Sequence, residues 1–162
     1  MQIRHQLAPF IWYQKGAEDA VAHYLKVFGA DQGRVTHTQH WGENSTGAAG
    51  TVMLLNFELL GLQMTAFNGG PHFKLNEAFS LMVAAADQAE IDHLWEHLPA
   101  GGGTPQACGW VKDAWGLSWQ IIPAAWFDMI RDPDPARVQR VFQAIWTMQK
   151  IDLASLRRAY AG

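Results

Sequence analysis

The stretch CGWVKDAWGLSWQIIP, residues 108–123, decides the fold of this chain. It reads as two short strands joined by a tight turn. Trp110 and Val111 lead into Lys112-Asp113-Ala114-Trp115-Gly116, a turn-rich segment whose glycine suits a positive φ. Residues 117–122 then alternate, and Pro123 stops the ladder. Leu117, Trp119 and Ile121 fall on one face; Ser118, Gln120 and Ile122 fall on the other. An amide in an otherwise apolar strand must find hydrogen-bond partners or line a cavity. The ligand site is therefore expected on this strand.

Working outward, the same pattern occurs twice. Residues 7–13 read as a strand, and Gly16 breaks it. Ala17, Ala20, Val21, Tyr24, Leu25 and Phe28 then make one face of a helix, with Gly29 at its C-cap. Residues 33–41 form a strand with Val35, His37 and Gln39 on one side, and a polar loop fills 42–50. Residues 51–59 and 62–67 read as a hairpin around Leu60-Gly61. The turn cluster NGGPHF, residues 68–73, marks the midpoint. After it come a strand over 78–84 and a helix capped by Asp87, with Glu90 in capping-box spacing. Ile91, Leu94, Trp95 and Leu98 are its buried stripe, and Pro99 with three glycines ends it. Shifted by 70 positions, Val21, Tyr24 and Phe28 fall on Ile91, Leu94 and Leu98. Gly61-Leu62-Gln63-Met64-Thr65 likewise rhymes with Gly116-Leu117-Ser118-Trp119-Gln120. Each half reads as strand, helix, three strands. One half cannot bury both faces of its sheet, so the two are expected to pair around a cleft.

The tail differs. Asp134 and Pro135 start a helix striped with Val138, Val141, Phe142, Ile145 and Met148. Asp152 caps a last helix carrying Leu153, Leu156 and Tyr160. These helices need a surface to cover, either the outer face of the sheet or a second subunit.

Composition narrows the class. With 162 residues, 49% hydrophobic and 17% charged, the chain is globular and holds one domain's core. A net charge of −3 gives no basic footprint for nucleic acid and no polybasic membrane signal. The single Cys108 excludes an internal disulfide framework. MQIRHQLAPF has no apolar signal core and no run reaches membrane-spanning length, so a cytoplasmic location is expected.

The repeat, with NGGPHF and CGWVKDAWGLSWQIIP, resembles the PhnB-like family of the vicinal oxygen chelate superfamily. That family is also labelled 3-demethylubiquinone-9 3-methyltransferase. The superfamily includes glyoxalase I, extradiol dioxygenases, fosfomycin-resistance transferases and bleomycin-binding proteins. The resemblance extends over nearly the whole chain, including segments 18–28 and 88–98 and the tail 132–151. It implies an α+β fold of paired βαβββ modules in a curved, barrel-like mixed sheet, plus C-terminal helices. The expected division is 1–68, a linker 69–75, a second module 76–123 and a helical extension 124–162. The resemblance also implies a homodimer.

The superfamily's metalloenzymes place His, Gln or Glu ligands on the first and last strands of each half. The resemblance puts Gln120 in such a position, with Thr65 as its repeat partner. On the fifth strand, inward parity gives Ala78, Ser80 and Met82, matched by Ala8, Phe10 and Trp12 on the first. That set has no imidazole and no carboxylate, so no metal and no other cofactor is expected. His93 and His97 have zinc spacing on a helix, but Asp92 and Glu96 flank them and no third ligand is evident; they read as a solvated face.

A small-molecule ligand is the expected partner. Phe10, Trp12, Met53, Phe57, Met82, Trp110 and Trp119 are candidates to line its pocket, core being the commoner fate of any one of them, and Gln63, Thr65, Ser80, Ser118 and Gln120 to orient it. Asn68 reads equally as a ligand contact or as a turn residue before two glycines. His72, Cys108 and Asp113 are weak catalytic candidates. For Cys108 and His72 a strand-filling cysteine and a turn histidine are favoured, and Asp is common in turns. Three functions follow in order: metal-independent binding of a small apolar or aromatic metabolite; a superfamily enzyme acting on a small oxygenated substrate; and a methyltransferase. For the last, no Gly-rich loop follows a strand in a Rossmann setting.

Overall fold

The computed structural model describes residues 7–162. The readings of the first residues, including the missing signal core, lie outside the described residues. The chain divides into two compact units, Met1–Leu75 and Asn76–Gly162.

The first unit contains β1 (Phe10–Tyr13), α1 (Ala17–Phe28), β2 (Gly33–His40), β3 (Val52–Leu59) and β4 (Leu62–Asn68). Its sheet has the order β1-β4-β3-β2, with β1 parallel to β4 and the other pairs antiparallel. The first strand begins at Phe10, not at residue 7. Pro9 precedes it and has no N–H to give; its carbonyl accepts from Thr65 N at 3.0 Å. α1 buries Ala17, Ala20, Val21, Tyr24 and Val27 against β3 and β4. The face is rotated slightly from the expected one, leaving Leu25 and Phe28 half-buried. The hairpin turn is Leu60 (φ 49°) and Gly61 (φ 78°). Both are left-handed, as a two-residue turn that follows the strand twist requires. In β2 a register shift falls between Val35 and His37, so the expected row Val35, His37, Gln39 is broken by a bulge.

The second unit contains β5 (Ser80–Ala85), α2 (Gln88–His97), β6 (Thr104–Pro105), β7 (Trp110–Lys112) and β8 (Ser118–Pro123). The helices α3 (Ala124–Met129), α4 (Pro135–Trp146) and α5 (Leu153–Ala161) follow. Its sheet has the order β5-β8-β7-β6, with β5 parallel to β8. The fold is thus an α+β arrangement of two four-stranded mixed sheets, neither closed on itself among the described residues. β6 and β7 are stubs beside their counterparts in the first unit. Gly101, Gly102, Cys108 and Gly109 all have positive φ, and Pro105 lies in β6, so the ladder cannot lengthen there.

Asp87 accepts from Glu90 N at 3.0 Å as the spacing predicts, whereas Glu90 reaches back to Ala86 N at 2.7 Å, one residue before the cap. Ile91, Leu94 and Leu98 are buried, with Trp95 half-buried beside them. The alternation of β8 is less clean than expected. Leu117, Trp119 and Ile121 are buried, but so are Ser118 and Ile122 on the opposite parity.

The tail covers its own unit. Met129, Val141, Ile145, Ile151 and Leu156 form a second core, against which Cys108, Trp126 and Met148 pack. α3, six residues long, was not anticipated from the sequence, being too short to display a helical period. Cys108 N donates to Met148 O and Gly109 N to Gln149 O, both at 2.8 Å. The Gln88 amide, at the start of α2, accepts from Leu153 N at 2.8 Å and donates to Ile151 O at 3.1 Å.

Two carboxylates fix the ends of this extension. The Tyr160 hydroxyl, then the Asp134 N–H, hold the Asp132 carboxyl below its ordinary range. The Ser155 side chain and N–H do the same for Asp152 at the α5 N-cap. A depressed folded pKa means that these contributions are complete above the unfolded carboxylate range, near about pH 4, and are lost as pH falls through the lower folded values. Acid titration followed by thermal melting should therefore show stability declining below that range. Asp132→Asn should flatten part of the decline; an unchanged acid limb would contradict the assignment.

Candidate functional site

Each sheet has one face turned from its helix, and strand register says which side chains share it. In the first unit Phe10 pairs with Thr65 and Thr65 with Asn56; Trp12 pairs with Phe67 and Phe67 with Leu54. Ile11, Ala66 and Leu55 belong to the opposite, buried side. Four expected ligand residues, Phe10, Trp12, Gln63 and Thr65, therefore lie on one open face.

Rings dominate that face. Phe67 is in contact with Phe10, Trp12 and Trp41, at centroid distances of 5.5, 5.0 and 6.0 Å. Phe73 packs edge-on to Trp12 at 4.9 Å. Phe10 and Phe73 stay 59% and 64% exposed. Two glycines let the indoles lie flat against the chain. A Cβ on Gly69 would stand 2.2 Å from the Trp12 ring, and one on Gly47 would stand 2.4 Å from the Trp41 ring. Trp12 Nε1 donates to Gly70 O at 2.9 Å, so the turn NGGPHF positions this indole.

Polar rows border the rings. Thr65 Oγ1 donates to Asn56 Oδ1 at 2.9 Å. Glu58 Oε2 accepts from Gln63 Nε2 at 2.8 Å and from Arg34 Nη2 at 2.9 Å. A cavity of ≈ 270 Å³, lined in part by Asp31, Gln32, Arg34 and Glu58, opens at this end of the unit.

In the second unit the open face has two rows. Met82 pairs with Gln120 and Gln120 with Trp110; Ser80 pairs with Ser118 and Ser118 with Lys112. The expected residues Ser80, Met82, Trp110, Ser118 and Gln120 thus share one face. Gln120 Nε2 donates to Ser80 Oγ at 2.8 Å. Ser118 Oγ is buried with no hydrogen-bond partner among the described residues. The registers revise the repeat. With Thr65 as counterpart of Gln120, Phe10 corresponds to Met82, not to Ser80, because each is the strand neighbour of its partner.

Other expected site residues have structural duties. Asn68 lies on the helix side of β4. Its Oδ1 accepts from Ala17 N at 2.9 Å, capping α1, and its Nδ2 donates to Val52 O and Glu18. These bonds tie the end of β4 to α1 and β3, a role that neither reading named. Asp113 is 3% exposed and accepts from Trp115 N, Leu117 N and Trp119 Nε1, at 2.9, 3.0 and 3.0 Å. Such a carboxylate organises a turn. Cys108 lies outside any strand, half-buried with φ 59°, so the strand-filling cysteine is corrected to a turn residue. His72 is exposed in the first unit and Cys108 belongs to the second, so neither unit by itself pairs them.

In neither unit do the strand positions of the superfamily's metal ligands offer an anionic ligand: Phe10 and Thr65 give a ring and a hydroxyl in the first, Met82 and Gln120 a thioether and an amide in the second. Among the described residues, no three His, Cys, Asp or Glu side chains gather as a metal site would require. The His93 and His97 rings stack at 4.4 Å on the outside of α2, and His97 Nδ1 bonds the His93 carbonyl at 2.8 Å.

Sequence reasoning missed Phe67, Trp41, Asn56 and Glu58 as site residues. Phe67 was legible: it stands two residues from Thr65 on the same strand and so shares its face. Trp41 was not, because it follows the bulged β2 and reaches the rings only through the fold.

This architecture is that of solved glyoxalase-like α+β proteins. A PhnB protein from Bacillus cereus, named for the 3-demethylubiquinone-9 3-methyltransferase, is 28% identical with a TM-score of 0.64. The match covers 74% of this chain and all of that one. A protein from Pseudomonas aeruginosa shares the fold at 19% identity and a TM-score of 0.56, covering 71% of this chain and 94% of its own. No curated protein matches. The model of the 3-demethylubiquinone-9 3-methyltransferase family matches residues 5–122, and the chain belongs to that PhnB-like family. The tail, expected to lie within the resemblance, falls outside the matched residues. No helix among the described residues is long and apolar enough to cross a membrane.

Proposed function

We propose that this protein binds a small apolar or aromatic metabolite without a metal, and that the rings around Phe67 form the contact surface. The supporting observation is the aromatic cluster in which half-buried Trp12, Trp41 and Phe67 stand beside exposed Phe10 and Phe73, bordered by the Thr65–Asn56 pair. Ligand sites combine such apolar area with a few orienting polar groups. Asn56 can add an amide donor and Thr65 an acceptor toward a ligand oxygen. The homodimer and the cytoplasmic location belong to the same reading; a single-chain molar mass in solution would count against the dimer.

The test is a tryptophan fluorescence titration with 1-naphthol. Trp12 and Trp41 both touch Phe67, so binding there should change their emission. Phe67→Ala should weaken the response by about tenfold, the scale of one lost aromatic contact. Equal affinities for the variant and the natural chain would remove the ring patch as the site. The family's name favours a second reading, methyl transfer to an aromatic acceptor on the same surface. S-adenosylmethionine binding in calorimetry would promote it.

A further inference from the structure

We infer that the open face of β5, β8 and β7 carries a subsite for the carboxylate of an aromatic acid, a subsite filled here by the chain's own Glu77. This goes beyond the ligand-binding reading at Phe67 and concerns the second unit alone. Glu77 stands in the turn before β5, where Asn76 supplies the local bonds: Ala78 N to Asn76 Oδ1 at 3.0 Å and Phe79 N to Asn76 O at 3.4 Å. From that turn its Oε1 accepts from Lys112 Nζ and, at 3.4 Å, from Gln106 Nε2. Lys112 belongs to the row Ser80–Ser118–Lys112, which continues to Thr104 on β6.

Three observations make this more than a surface ion pair. First, Ser118 in the same row keeps a buried hydroxyl with no partner among the described residues, which is costly unless something accepts from it. A carboxylate has two oxygens and can serve Lys112 and a hydroxyl together. Second, the Glu77 side chain is 50% exposed and Lys112 31%, so the pair is weak and its carboxylate can be displaced. Third, the next row is Met82–Gln120–Trp110, one two-residue step of about 7 Å away. A ring attached to a carboxylate on Lys112 would lie over Trp110 and the exposed Met82. Lys112 also holds the Glu77 carboxyl below its ordinary range.

The experiment compares benzoate with benzamide, the uncharged compound of the same shape. Binding is followed through the Trp110 indole N–H in ¹⁵N–¹H spectra of the natural chain, Glu77→Gln and Lys112→Met. Benzoate should bind Glu77→Gln about tenfold more tightly than the natural chain, since the competing carboxylate is gone. Benzamide should bind Glu77→Gln at least about tenfold more weakly than benzoate, and Lys112→Met should abolish the preference. Equal binding of the two compounds to Glu77→Gln, or no benzoate shift at Trp110, overturns the inference. The 1-naphthol response at Trp12 and Trp41 reports separately. If it persists without a benzoate preference, only the carboxylate subsite falls. If it vanishes while the preference holds, the Phe67 surface falls instead.

Discussion

Asp113→Ala should lose about 3–5 kcal/mol of stability and leave the second unit partly unfolded at ordinary temperatures. The carboxylate is buried in the turn between β7 and β8, where it is the acceptor for two backbone N–H groups and the Trp119 indole. Alanine leaves these donors without it, two of the three in buried surroundings. Asparagine keeps one carbonyl oxygen but turns an NH₂ toward a donor on the other side, so Asp113→Asn should fall between. Urea denaturation of the three proteins measures the order. An alanine variant of natural stability that lost only its ligand response would make Asp113 a site residue after all.

Removing the helices after Pro123 should have an effect of similar size, although the family match ends at residue 122. The whole Bacillus cereus chain aligns with only 74% of this one, which invites the view that the tail is an appendage. The contacts argue otherwise. Truncation strips the partners from Cys108 N and Gly109 N, and from both ends of the Gln88 amide. It also uncovers the apolar surface that Cys108 presents to Met129, Val141, Ile145, Ile151 and Leu156. Gly109 fits this junction tightly: a Cβ there would stand 2.7 Å from Ile121 O and 3.0 Å from Ile151. The shortened protein should aggregate or lose the near-UV circular dichroism of Trp110 and Trp119. A soluble 1–123 chain with native dichroism and a cooperative melt would show that the tail is dispensable.

The elements that could be read from the sequence are those whose signals are local. α1 follows from the spacing of Ala17, Ala20, Val21 and Tyr24, and its bounds agree with the structure. The caps of α2, α4 and α5 were readable because Asp87, Asp134 and Asp152 each bond an N–H two or three residues away. The rhyme between the hairpins also held, with Gly61 and Gly116 both at positive φ. The 70-residue offset served for the helices but misaligned β1 with β5, because the connections differ in length and only pairing with β4 and β8 sets the register.

The site divided along the same line. Alternation alone grouped Gln63 with Thr65, and Ser118 with Gln120, since side-chain direction along a strand is a property of the backbone. No local pattern assigns Asn68 a role, because its partners Ala17 and Val52 are far away in sequence. Asp113 has the local signature of an ordinary turn residue, and the Trp119 indole that donates to it comes from the next strand. Glu77, Asn56 and Trp41 gave no signal.

The sequence by itself determined the elements, their duplication and which side chains share a strand face. These depend on periodicity and on hydrogen bonds between near neighbours. Only the tertiary structure decided which polar groups are bonded within the chain and which, like Ser118 Oγ, are not. A donor's partner is set by distance in space, and Lys112 meets Glu77 across 35 positions that no local pattern connects.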